Sequence, residues 1–142
     1  MADPDAGYTA AVADVSTLLP SSISGYKLLS ADHVGPDAQQ LYLPSSTGSG
    51  IRQVLVAVHD RGSKAAARRF ATGLGERLYP GSVANIAGRS GVVGRFGTDR
   101  TRLAAVFFSR GRFGYEIVMT ADGVAPRLLR DRAQALLKEI TR

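Results

Sequence analysis

Residues 54–58 read Val54-Leu55-Val56-Ala57-Val58, and this unbroken apolar run constrains the fold more than any other stretch. A strand alternates its side chains between two faces, so a strand with one wet face is apolar only at every second position. Ile51 to His59 is therefore expected to be a central strand covered on both faces, which demands a sheet with packing layers on each side. The longest apolar run, Leu103 to Phe108, has six residues, far below the roughly 20 needed to cross a bilayer, so a soluble protein is expected. A chain of 142 residues, 44% hydrophobic, suits one domain over 1–142 with a substantial core, led by a flexible 1–7.

The elements around that strand follow from periodicity. Tyr8, Val12, Val15 and Leu19 recur at helical spacing until Pro20, which predicts a helix over 6–19. Gly25-Tyr26 opens an extended segment to about His33, Gly35-Pro36-Asp37 turns it, and Gln39, Leu41 and Leu43 alternate with Gln40 and Tyr42 in a second strand. Ser63 caps a helix over 63–79 with Ala67, Phe70, Ala71, Leu74 and Leu78 inward, ended by Tyr79-Pro80-Gly81. Val83 to Phe96 reads as one bent edge strand, with Gly88, Gly91, Gly94 and Gly97 three residues apart. Leu103–Ser109 and Phe113–Ala121 form a hairpin across Arg110-Gly111-Arg112, with Phe113, Tyr115, Ile117 and Met119 on one face. A last helix spans about 125 to 141, with Pro126 in its first turn and Leu128, Leu129, Ala133, Leu136, Leu137 and Ile140 as its apolar stripe. The expected class is α+β, a mostly antiparallel sheet of about six strands with three helices, in the order α-βββ-α-βββ-α.

Leu19-Pro20 through Gly25-Tyr26, the Phe107-Phe108 strand, the strand Gly114-Tyr115-Glu116-Ile117-Val118-Met119 and the closing amphipathic helix carry a resemblance. In element order, over most of the chain, they resemble small extracytoplasmic domains of bacterial lipoproteins and sensor proteins of the Mog1/PsbP-like α/β/α class. The resemblance brings no catalytic residue with it. It implies a non-catalytic binding or accessory domain of a cell-envelope protein. The start, Met1-Ala2-Asp3-Pro4-Asp5, has neither the basic nor the apolar part of a signal peptide. An extracytoplasmic setting is thus expected where a signal or anchor segment has been replaced by the initiating Met, and a cytoplasmic one otherwise.

Charge supplies the alternative. The net charge of +6 divides into five acids and one base in residues 1–50, a net of −4, and 17 bases and seven acids in residues 51–142, a net of +10. Fifteen of the 18 bases are arginine, whose forked donors suit phosphate and carboxylate. The second functional reading is a basic cytosolic domain that binds nucleic acid or another polyanion, or an acidic protein. Arg95, Arg100 and Arg102 gather around one turn, and Arg110 and Arg112 occupy a hairpin tip about 20 Å away along a strand. A further candidate is the strand-to-helix junction His59-Asp60-Arg61-Gly62-Ser63-Lys64, where helix amides, Arg61 and Lys64 would hold an anion; its plainer reading is that Asp60 or Ser63 caps the helix.

Catalysis finds little support. The chain has no cysteine, which removes disulfides, thiolate metal sites and a thiol nucleophile. His33 and His59 are the only histidines; their neighbours Asp32 and Asp60 would point to the opposite face of a strand, and no metal site or cofactor is expected. Glu76 and Glu116 are expected to pair with arginines.

Overall fold

The computed structural model describes residues 15–46, 48–74, 82–86, 88–95 and 101–141. Seven strands form one sheet: β1 (Tyr26–Val34), β2 (Asp37–Pro44), β3 (Ile51–Asp60), β4 (Ser82–Ile86), β5 (Arg89–Arg95), β6 (Thr101–Arg110) and β7 (Phe113–Asp122). Their order is β1-β2-β3-β7-β6-β5-β4, and every neighbouring pair is antiparallel. Two helices accompany them among the described residues, α1 (Lys64–Arg69) and α2 (Pro126–Ile140).

The expected α+β class with an antiparallel sheet is what folds, but the strand count differs by one. Val83 to Phe96 is a hairpin rather than a single bent strand. Gly88 takes φ 79, and its amide donates to Asn85 Oδ1 at 2.9 Å, so the chain reverses between β4 and β5. The matched βββα halves therefore become βββα followed by ββββα. Of the first predicted helix, residues 6–14 lie outside the described residues; its end is Val15 leading into a 3-10 turn, Ser16–Leu18. The second predicted helix is α-helical only to Arg69 and widens into a π turn over Phe70–Leu74, with Thr72 Oγ1 donating back to the Arg68 carbonyl; residues 75–79 lie outside the described set.

The alternation of β3 divides the core between the faces of the sheet. Val54, Val56 and Val58 meet Val106, Phe108, Ile117 and Met119 under the α2 stripe of Leu129, Ala133, Leu136 and Leu137. This first face continues over β2, where Val15 and Ile23 cover Tyr42. Gln40 is buried with them because its amide donates to the Pro20 carbonyl and its carbonyl accepts from the Tyr42 hydroxyl at 2.7 Å. The second face holds a smaller core of Phe70, Val92, Leu103, Ala105, Phe107 and Val118, with Leu55 at its margin. Ala57 is buried there too, so the central strand is covered on both sides as its composition requires. Cover on that face stops at β3. Beyond it, Val34, Gln39 and Leu43 are exposed, and Leu41 is half-buried.

Candidate ligand-binding cleft

The second face ends, where its cover ends, in a row of ionisable groups made by register. Asp37 of β2 lies opposite His59 of β3, His59 opposite Gly114 of β7, and Ala57 opposite Glu116. Opposed residues share a face, so Asp37, His59 and Glu116 all project to this side. His59 Nδ1 is 2.7 Å from Asp37 Oδ1, and His59 Nε2 is 2.8 Å from Glu116 Oε1. Glu116 is buried, His59 is half-buried and Asp37 is exposed. Burial works to lower the imidazole pKa, but hydrogen bonds and negative charge from Glu116 and Asp37 outweigh it, so the net shift is upward from the ordinary 6.5. Two ionised carboxylates accept from both ring nitrogens only when both carry protons. This arrangement favours the protonated ring, and both of its nitrogens are engaged by carboxylate oxygens.

Phe70, brought in by the π turn, closes the row from above. Its ring centroid is 5.4 Å from that of His59, and Arg61 stands 5.5 Å from it on the solvent side. The ring can lie this low because residue 114 is glycine: a Cβ there would come within 2.6 Å of Phe70 Cδ1. Beside His59 a cleft of about 180 Å³ opens toward β1, lined by Asp32, Val34, Asp37, Ala38, Gln39 and His59. Asp32 has no partner among the described residues. The cleft thus offers carboxylate and amide acceptors beside an apolar wall, which suits a cationic group.

The junction after β3 is spent on structure. Asp60, its side chain 1% exposed, accepts from Arg112 Nε and Nη2, each at 2.8 Å, and from the Gly62 amide at 2.9 Å. Ser63 Oγ accepts from the Ala66 amide, which makes it the N-cap of a six-residue helix. Gly62 has φ 84, Lys64 is exposed, Arg61 leans on Phe70, and His59 points to Asp37 and Glu116. The hairpin tip diverges: Arg112 reaches Asp60, whereas Arg110 donates to the Thr141 carbonyl and lies near the Phe108 ring. Arg95 and Arg102 are register partners across β5 and β6, and Arg100 lies outside the described residues.

Sequence reasoning missed Asp37, taken as a turn residue, and did not foresee the bond between Glu116 and His59. Glu76 lies outside the described residues. Alternation along β7 does put Glu116 on the face away from Tyr115, but nothing local sets β7 against β3. His33 pairs with Ala38 on the first face, away from His59 on the second, and no group of metal-ligating side chains occurs among the described residues. No described helix is long and apolar enough to span a membrane. The chain matches no protein-family model, and no curated protein or solved structure matches it.

Proposed function

We propose that this protein is a non-catalytic binding or accessory domain that takes an extended, cation-bearing segment of a partner protein along β1 and over the Asp32–His59 cleft. The observation that carries the reading is the acceptor-rich cleft itself: Asp32 lies in it beside Val34 without a partner among the described residues, while both ring nitrogens of His59 are engaged by carboxylates. Three features support a segment as the ligand. β1 is an edge strand whose described side chains are nearly all exposed, so its outer backbone groups can accept another strand. Its pairing with β2 is irregular between Leu28 and Ser30 and regular from there to Val34, which makes the stretch beside the cleft the better template. Val34, 76% exposed, lies next to the Asp32 carboxylate in the cleft lining and can meet the stem of a lysine or arginine. The proposal keeps the cell-envelope setting implied by the resemblance to Mog1/PsbP-like domains, and helices on both faces of one sheet are in keeping with it.

Titrating the protein with a short extended peptide of alternating lysine and valine tests this by amide chemical shifts. Changes confined to β1, β2 and His59 are expected, with the His59 imidazole titrating above its ordinary 6.5. A His59 pKa at or below that value, or changes spread away from β1, would sink the reading.

A further inference from the structure

A second cavity, of about 230 Å³, lies on the other face of the sheet, far from β1. Among the described residues it is lined by Val93 of β5 and by Pro126, Arg127 and Arg130 from the first turns of α2. Val93 and the proline ring form an apolar wall, and the two arginines supply the charge. Arg130 is steadied by Nη2, which donates to the Asn85 carbonyl in β4. Arg127 is exposed and has neither an ion pair nor a hydrogen bond from its side chain among the described residues. The Val93–Ala104 pair is followed two residues along in register by Arg102 on β6.

The plain reading of Arg127 and Arg130 is the wet side of an amphipathic helix. That reading leaves their position unexplained. Cations at the start of a helix oppose its dipole, and α2 has no acid in its first turn and no side-chain cap to offset them. The nearest acid along the helix, Asp131, forms no ion pair with either arginine. An anion between the guanidinium groups would reverse the sign of the local field and use their forked donors.

We propose that this cavity binds a phosphoryl group, the dianionic head of a small organic phosphate whose apolar remainder rests on Val93 and Pro126. Its volume is below the roughly 300 Å³ at which pockets for drug-sized ligands begin, which matches a head group better than a whole large ligand. Two forked cations favour a dianion over a single carboxylate.

The test titrates the full chain with phenyl phosphate and with inorganic phosphate, followed by arginine side-chain and amide shifts. Phenyl phosphate is expected to bind more tightly than phosphate and to move Val93, Arg127 and Arg130. Arg127→Gln, at an exposed position without a partner among the described residues, should weaken it by about tenfold, the scale of one lost charge-assisted contact. Arg127→Lys, which keeps the charge and loses the fork, should fall between. Arg110→Gln, at the hairpin tip, should change affinity by less than about twofold, because exposed charges that far away are screened. Equal losses at Arg110 and Arg127 would overturn the proposal in favour of a diffuse field. So would an oligonucleotide that binds more tightly than phenyl phosphate with steep salt dependence and is weakened equally by both glutamine variants. Absence of phenyl phosphate binding at millimolar concentration would overturn it outright.

Discussion

The strands β6 and β1 differ in how many of their faces are covered. In β6 the six residues Leu103 to Phe108 are all buried, between α2 on one side and the Phe70 cluster on the other. In β1 no residue is buried. Both are long strands of one sheet, and their compositions record the difference: continuous apolar residues where two layers pack, and Lys27, Ser30, Asp32 and His33 among apolar neighbours where one edge is bare. Hydrogen bonding extends the sheet across both regions, but stability concentrates where side chains are buried twice. The open half is thereby free to carry the cleft, because little of the core depends on it.

The largest effect that could break this contrast is a charge in the doubly covered region. Val56, 1% exposed and opposite Ile117, should not tolerate Val56→Asp: an unpaired buried carboxylate should abolish folding, read as loss of the cooperative thermal transition. Leu43→Asp, on the exposed part of β2, should cost no more than about 0.5 kcal/mol. Similar losses at both positions would erase the distinction between the halves.

An intermediate effect is expected where the two regions meet. Gly114→Ala places a methyl group against the Phe70 ring, which must lift from His59, and the cost should be about 1–3 kcal/mol by denaturant unfolding. Combining it with Phe70→Leu, which removes the obstructing ring, should recover part of that cost. If Gly114→Ala proves neutral, Phe70 is a loose cover and not the boundary of the closed half.

The smallest effect is in pH dependence. The folded-state pKa of His59 lies above its ordinary value, so its contribution to stability is complete below that ordinary value and is lost as pH rises through the folded pKa. Unfolding free energy should decline over that window, and Glu116→Gln, which removes one of the two carboxylates, should move the decline to lower pH. A decline that stays in place in Glu116→Gln would show that His59 is not held by this contact.

Much of this fold was legible in the chain. The β6–β7 hairpin, the central position of β3, the α2 stripe and the Ser63 cap each rest on spacing within a dozen residues, and each is found, except that Leu128, expected in the stripe, is exposed. The β4–β5 hairpin was not legible, because Gly88 was one of four equally spaced glycines and nothing local marked it as the one that turns between β4 and β5. The candidate site was less legible than the fold. His59 and Arg112 stood out as residues, but their partners did not: Asp37 is 22 positions from His59, Glu116 is 57 positions from it, and Asp60 is 52 positions from Arg112.

By itself the sequence determined which residues could be buried, which segments extend or coil, and that acids collect early in the chain and arginines late. Those properties are local, set by side-chain chemistry and by periods of two and about four residues. Only the tertiary structure decided that β7 inserts beside β3, which puts a buried glutamate under a histidine, and that β1 and β4 form the opposite edges of the sheet. The physical reason is register: any two strands with matching apolar alternation can pair, and the choice among pairings is made by the sum of contacts across the whole sheet.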